Sequence, residues 1–197
     1  MQTSSSDRPA PGACRGNDPH RFTEQSLVAA LSSGNGLRIL LQPQFDLDTG
    51  RIVAAEALIR WCQDGRRDIP PAEFLPVLDR LGLEAELFEF VCARVLELLC
   101  ELQLSDIQCP ISVNASAAVL SCAGALSRLE DRLQDADLAN HLLKIEVTED
   151  KSAADMPALV TGLSRMRASG FEISIDDFGV GCSSLKRLVS LPFTELK

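Results

Sequence analysis

The amino-acid sequence predicts an α/β fold whose sheet is mostly parallel. In the second half of the chain, short apolar segments typical of strands alternate with longer helical patterns, with one unit about every 30 residues, as expected for βα units. In the first half, two apolar segments at 37–42 and 51–61 flank a turn rich in Asp and Gly, which predicts a β-hairpin. The 197 residues are 46% hydrophobic, which is sufficient for one packed domain.

Local signals predict the individual elements in order. Thr23 is the expected N-cap of a short helix that ends in the Ser- and Gly-rich stretch 32–36. Pro71 begins a helix that ends at Gly82, because proline suits the first helical position and glycine the residue after the last. An apolar stripe with helical spacing predicts a longer helix at 84–102. We then predict strands at 110–114, 142–148 and 171–177. A helix that ends near 137 follows the first of these strands, and helices at 152–169 and 183–190 follow the second and the third. A further strand is predicted to begin at 194–197.

Composition narrows the class of protein. Acidic residues outnumber basic ones by 28 to 19, and the net charge of −9 argues against non-specific binding to DNA or other nucleic acid. No apolar run reaches the roughly 18 residues of a membrane-spanning helix, and residues 1–20 contain no apolar stretch typical of a signal peptide. We therefore expect a flexible leader at 1–20, one domain at 21–197, a cytoplasmic location and no membrane contact.

Cysteine and histidine usage limits the metal chemistry. The chain has seven cysteines, none in a CxxC pair, and two histidines. This usage predicts free thiols in a reducing compartment and argues against a zinc site built from Cys and His. Any metal site is therefore expected to have oxygen ligands.

Acidic and amide side chains lie within the predicted strands or directly after them. They are Glu56, Asn114, Glu146, Glu149, Asp176 and Asp177. Ligands bind at the carboxyl ends of parallel strands, where clustered carboxylates would repel one another unless a divalent cation lay between them. Oxygen ligands favour Mg²⁺ or Mn²⁺. The alternative is that each residue is an ordinary exposed loop residue.

Two further charged residues have a functional and a structural interpretation. Arg60 shares a strand face with Glu56, because side chains repeat every two residues, and its planar guanidinium could bind a phosphate. A structural ion pair is the alternative for Arg60. Glu149 follows the end of its strand, where it could equally cap the next helix.

The strand count has a consequence for the architecture. We count five strands and the beginning of a sixth, whereas a closed (β/α) barrel needs eight. Five strands can form an open sheet, but an unpaired edge next to 171–177 would favour aggregation. We expect the sequence to be truncated; the alternative is that another chain supplies the missing wall.

These residues lie in motifs that strongly resemble the EAL domain family, the phosphodiesterases of cyclic di-GMP. The naming motif is Glu56-Ala57-Leu58, and other motifs follow in family order. They are Gln42-Pro43, Pro71-Ala72-Glu73-Phe74-Leu75-Pro76, Ser112-Val113-Asn114, Glu146-Val147-Thr148-Glu149, Asp176-Asp177-Phe178-Gly179 and Glu195-Leu196-Lys197. The resemblance implies a TIM-type (β/α) barrel with an antiparallel first strand, incomplete here at the C-terminus.

The resemblance also implies roles for individual residues. It assigns Glu56, Asn114, Glu146, Asp176 and Asp177 to a site for two Mg²⁺ or Mn²⁺ ions, with Asp176 able to bridge them. It assigns Gln42 and Arg60 to dinucleotide binding, Glu149 to support of the loop after the aspartate pair, and Lys197 to orientation of the attacking water. Glu56, Asp177 and Lys197 are then the catalytic residues. The implied reaction is hydrolysis of cyclic di-GMP to linear pGpG in bacterial second-messenger signalling.

Departures from the family pattern support a second hypothesis. Val180 and Cys182 replace a small polar residue and an aromatic residue in the turn after the aspartate pair, and a later glutamate and glutamine of the family lie beyond Lys197. The alternative is therefore a catalytically inactive EAL module that binds cyclic di-GMP or a regulatory protein partner. We also expect little or no turnover from a chain that ends at Lys197. The helix near residue 23 could serve as a linker or as a homodimer contact.

Overall fold

The computed structural model describes residues 22–63, 67–147, 156–175, 193 and 195–196. Its helices are α1 Glu24–Ser33, α2 Pro71–Leu81, α3 Glu84–Leu104, α4 Ala117–Leu120, α5 Ala123–Asp135 and α6 Met156–Ala168. Its strands are β1 Leu37–Phe45, β2 Ile52–Gln63, β3 Arg67–Ile69, β4 Ile111–Ala115, β5 Leu143–Val147, β6 Glu172–Ile175 and β7 Glu195–Leu196. A 3₁₀ turn at Asn140–Leu142 leads into β5.

All seven described strands belong to one sheet. Its order is β1-β2-β4-β5-β6-β7, and β3 pairs with the last residues of β2. β1 and β3 run antiparallel to β2, whereas every pair from β2–β4 to β6–β7 is parallel. The structure confirms the predicted α/β fold, its antiparallel first strand, and the strand predicted to begin near 194.

Local chemistry explains where the first two helices begin and end. Thr23 caps α1 through a reciprocal pair of hydrogen bonds with Ser26, as its position predicted. Pro71 occupies the first position of α2, and Gly82 ends that helix in the left-handed conformation with φ of 68°. These boundaries are confirmed.

The structure differs from the predicted elements in two places. The short strand β3 was not predicted, and the single helix expected between 114 and 137 is divided into α4 and α5. The division falls at Ser121, whose hydroxyl donates to the carbonyl of Ala117 at 2.7 Å and so satisfies a group at the end of α4. The predicted leader at 1–20, the predicted helix at 183–190 and the predicted strand residues 148, 176 and 177 lie outside the described residues.

The central strands have one apolar face and one polar face. Odd-numbered residues of β4, β5 and β6 are buried against the helices, together with residues of α3, α5 and α6. They include Ile111, Val113, Leu143, Ile145 and Ile173 on the strands and Val95, Leu99, Leu133 and Leu163 on the helices. Even-numbered residues lie on the opposite face, because side chains alternate along a strand. That opposite face carries the polar side chains of the candidate site.

A second buried cluster lies at the other end of the β1–β2 hairpin. Trp61 is 2% exposed and packs edge-to-face against Phe74, with ring centroids 5.9 Å apart. Leu27 of α1 and Leu78 of α2 belong to the same cluster. This packing fixes α1 and α2 beside β2, the strand that carries Glu56 and Arg60.

Candidate functional site

Three of the predicted site residues lie on adjacent strands. Glu56 is on β2, Asn114 on β4 and Glu146 on β5. Asn114 Nδ2 donates a hydrogen bond to Glu56 Oε1 at 3.0 Å, and Asn114 is the register partner of Glu146. The parallel pairing of three strands therefore brings together an acidic, an amide and a second acidic side chain.

Burial differs among these three residues. Glu146 is fully buried with 0% exposure, whereas Glu56 and Asn114 are half-buried. A carboxylate held away from water is costly unless a cation or hydrogen-bond donors stabilise it. Glu146 is therefore the member of this trio whose charge depends most on such partners.

The ligand chemistry of the three residues fits a hard divalent cation. Two carboxylates and an amide oxygen are the oxygen donors that Mg²⁺ and Mn²⁺ prefer. Within residues 22–63, 67–147 and 156–175, no cluster of three or more His, Cys, Asp or Glu side chains is arranged to hold a metal. Asp176 and Asp177, the other two predicted ligands, lie outside those ranges. The metal site thus remains a prediction.

The two predicted substrate-binding residues flank Glu56. Gln42 on β1 is the register partner of Glu56 and is exposed. Arg60 on β2 is half-buried, and its Nη1 donates to the carbonyl of Ile59 at 2.8 Å. Within the described part of the chain Arg60 forms no ion pair, so nothing there supports the structural alternative for this residue.

A cavity of about 510 Å³ lies beside Arg60 and Asn114. Its walls are formed by the second half of β2, the end of β4, α2 and α3. Leu58, Leu75 and Phe88 supply apolar surface, and Arg60 and Asn114 supply polar groups. A largely apolar cavity with a few convergent polar groups is the usual form of a small-molecule site.

Four predicted site residues lie outside the described residues. They are Glu149, Asp176, Asp177 and Lys197. Their assigned roles stay predictions.

Sequence reasoning missed several residues on the polar face of the sheet. Ser112 and Ser174 are buried there at 0% and 4% exposure, and Lys144 forms an ion pair with Glu172 at 2.6 Å. Their signal was present, because Ser112, Lys144 and Ser174 each precede a predicted site residue by two positions and Glu172 precedes one by four. Extending the period-two pattern downward from Asn114 and Glu146 would have identified Ser112 and Lys144.

The described helices contain no segment with both the length and the apolar character needed to cross a membrane. A largely parallel sheet with an antiparallel first strand and acidic groups on one face defines an α/β protein with a candidate site on its polar face. The sequence pattern of the EAL domain matches residues 24–197. The chain belongs to the EAL domain family.

Curated relatives support this assignment over most of the chain. The oxygen sensor protein DosP of Escherichia coli strain K12 is 32% identical over 166 residues, which cover 84% of this chain and 21% of DosP. The cyclic di-GMP phosphodiesterase NbdA of Pseudomonas aeruginosa is 31% identical over 198 aligned residues, covering 94% of this chain and 25% of NbdA. The chain therefore spans about a fifth to a quarter of the length of these two relatives.

Solved structures match the fold. The phosphodiesterase PaMucR in complex with c-di-GMP has a TM-score of 0.77 at 31% identity, covering 88% of this chain and 70% of PaMucR. The EAL enzyme Bd1971, with cAMP and cyclic di-GMP bound, has a TM-score of 0.79 at 25% identity, covering 88% of this chain and 48% of Bd1971. The fold predicted from the family resemblance, a TIM-like barrel present in part, is confirmed.

Proposed function

We propose that this chain is the EAL portion of a metal-dependent phosphodiesterase that hydrolyses cyclic di-GMP to linear pGpG. The observation that carries the proposal is the arrangement of Glu56, Asn114 and Glu146 on three adjacent strands of an EAL domain. NbdA is named a cyclic di-GMP phosphodiesterase, and PaMucR is a phosphodiesterase solved with c-di-GMP, which supports the substrate class.

The residues that would hold two Mg²⁺ or Mn²⁺ ions are the described trio together with Asp176 and Asp177. When bound, such ions supply an activated water nucleophile and offset negative charge on the phosphoryl oxygens. The hydrogen bond from Asn114 orients the Glu56 carboxylate before any cation binds. This preorganisation limits the side-chain entropy lost on binding.

The remaining residues bind and orient the substrate. Arg60 lies in the wall of the 510 Å³ cavity, where its guanidinium can bind a phosphate while the apolar wall accommodates a base. Gln42 lies opposite Glu56, and its amide can donate or accept a hydrogen bond at the exposed side of the site. In the proposed reaction Lys197 orients the attacking water and Glu149 supports the loop that follows the Asp176–Asp177 pair.

A second candidate function is binding without hydrolysis. The EAL domain of FimX from Pseudomonas aeruginosa was solved bound to c-di-GMP, and its match to this chain has a TM-score of 0.71 at 26% identity. An EAL module that only binds would use the same cavity to sense the dinucleotide or to control a protein partner. A cytoplasmic location and a homodimer are compatible with both functions and remain predictions.

The decisive experiment is incubation of the purified complete protein that contains this EAL portion with cyclic di-GMP and Mn²⁺, with products separated by liquid chromatography and identified by mass. The proposal predicts pGpG formation that EDTA abolishes. Glu56→Gln should lower the rate at least about a hundredfold, because removal of a preorganised electrostatic group costs that much in other enzymes. Glu101→Gln, an exposed glutamate on α3, is the matched control and should leave the rate unchanged.

Two outcomes would contradict the proposal in different ways. Binding of cyclic di-GMP by calorimetry without any product supports the sensing module and refutes hydrolysis by the complete protein. Hydrolysis that survives both EDTA and Glu56→Gln refutes the metal site and leaves the substrate assignment standing.

A further inference from the structure

An ion pair between a half-buried lysine and a glutamate whose side chain is 43% exposed lies on the same sheet face as the candidate cation site. Lys144 Nζ is 2.6 Å from Glu172 Oε2, and the two residues are register partners on β5 and β6. The Lys144 side chain is only 20% exposed. Its charge is therefore screened less by water than that of a surface lysine.

The register fixes where this pair lies relative to the site. Lys144 and Glu146 are two residues apart on β5, so their side chains share a face roughly 7 Å apart along the strand. Across the sheet, the row of register partners runs from Glu56 through Ser112 to Lys144. Ser112 is fully buried, so little water separates the lysine from the acidic site.

We propose that the Lys144–Glu172 pair sets the affinity of the neighbouring site for divalent cations. This inference rests on the metal site of the proposed function. Lys144 provides a resident positive charge that stabilises the acidic face before a cation binds, and Glu172 cancels part of that charge. The affinity of the site then depends on the balance between the two partners.

Electrostatics gives the two partners opposite effects on cation binding. Lys144→Met removes a repulsive charge and leaves the Glu172 carboxylate, so Mn²⁺ should bind about threefold to tenfold more tightly. Glu172→Gln removes the carboxylate 2.6 Å from the lysine charge, so Mn²⁺ should bind about threefold to tenfold more weakly. The double variant removes a neutral pair and should bind within about twofold of the unsubstituted chain.

The experiment is a calorimetric titration of the full chain with Mn²⁺ at one pH, carried out for the unsubstituted chain, both single variants and the double variant. Melting temperatures without metal are the second measurement. Lys144→Met should lower the metal-free melting temperature, and saturating Mn²⁺ should reduce that difference. The control pair is Arg94 and Glu97, an exposed ion pair on α3, whose Arg94→Met and Glu97→Gln variants should leave Mn²⁺ affinity unchanged.

The pattern of results distinguishes the inference from a structural role and from failure of the site itself. If both single variants weaken Mn²⁺ binding, the pair only supports the fold and the inference is wrong. If neither single variant changes an affinity that the unsubstituted chain shows, the inference is again wrong while the metal site stands. If the unsubstituted chain does not bind Mn²⁺, the metal site of the proposed function fails and this inference fails with it.

Discussion

Asn114 on β4 and Glu56 on β2 are 58 positions apart in the chain and are joined by a side-chain hydrogen bond of 3.0 Å. The bond crosses the parallel β2–β4 pair, in which Glu56 is opposite Ser112, two residues before Asn114. The amide therefore reaches the carboxylate diagonally across the ladder. This contact links the structural stability of the sheet to the charge of the candidate site.

Replacing Asn114 by Asp should destabilise the metal-free protein. The substitution exchanges a hydrogen-bond donor to Glu56 for a like charge, and loss of a hydrogen bond to a charged group costs about 1.5–3 kcal/mol. Thermal melts with EDTA and with excess Mn²⁺ measure the effect. The melting temperatures of the variant and the unsubstituted chain should differ less in Mn²⁺ than in EDTA. Asn35→Asp, at an exposed position before β1, is the control. If Asn114→Asp lowered the melting temperature equally in EDTA and in Mn²⁺, no cation would bind at Asn114.

The β1–β2 turn should show a pH-dependent contribution to stability. The hydroxyl and backbone N–H of Thr49 both donate to Asp46 Oδ1 at 2.7 Å and lower the pKa of that carboxyl. A carboxyl whose pKa is lower in the folded than in the unfolded chain stabilises the fold above its unfolded pKa, and this contribution is lost as the pH falls through the folded pKa.

The variant Thr49→Val removes the hydroxyl donor and tests this contribution. Its melting temperature should lie below that of the unsubstituted chain at pH 6, and the difference should shrink as the pH is lowered below the ordinary aspartate pKa of 3.8. Thermal melts across this pH range make the comparison. A difference that is constant with pH would show that the threonine acts through packing or β-propensity instead.

Parts of the site that follow from local sequence patterns could be predicted, whereas parts that depend on pairing between distant strands could not. Residue types and places within or directly after predicted strands singled out Asn114 and Glu146 as site residues, because both signals are local. The register between β2 and β4, which creates the Glu56–Asn114 bond, was not predictable from local patterns, since it joins segments more than 50 residues apart.

The strand β3 was missed for a similar reason. It is three residues long, includes Arg67 and Asp68, and exists because it pairs with the end of β2.

The contact between α6 and α4 should tolerate no side chain at Gly162. A Cβ added there would lie 2.1 Å from the carbonyl oxygen of Leu120, a backbone atom at the end of α4. Gly162→Ala should therefore destabilise the protein by about 1–3 kcal/mol in urea denaturation, despite the better helix propensity of alanine.

The matched variant for this prediction is Gly124→Ala on α5. There the nearest atom to an added Cβ is the terminal nitrogen of the flexible Arg128 side chain, at 3.3 Å. Gly124→Ala should be neutral or should stabilise by up to about 1 kcal/mol. Similar effects of the two substitutions would show that the α4–α6 distance adjusts freely.

The described cysteines should differ strongly in reactivity. Cys92 on α3 is 2% exposed, and burial raises the pKa of its thiol far above the ordinary value, so the reactive thiolate is scarce. Cys122 lies at the exposed start of α5. Alkylation with iodoacetamide at pH 8, followed by peptide mass spectrometry, should modify Cys122 within minutes and Cys92 only at the rate of unfolding. Equal labelling of both thiols in the absence of denaturant would contradict the packing of α3 against the sheet.

The end of α5 offers a stabilising substitution. Asp137 adopts the left-handed conformation with φ of 54°, and the N–H groups of Asp137 and Leu138 donate to the carbonyls of Gln134 and Leu133 at 3.1 and 3.0 Å. Glycine adopts this conformation without a Cβ penalty, and an aspartate at a helix C-terminus interacts unfavourably with the helix dipole. Asp137→Gly should therefore stabilise the chain by about 0.5–1 kcal/mol in urea denaturation. Asp131→Gly, inside α5, should destabilise it by a similar amount, because glycine is a poor helix former. A loss of stability in both variants would mean that the aspartate carboxylate contributes more to this helix end than its backbone strain costs.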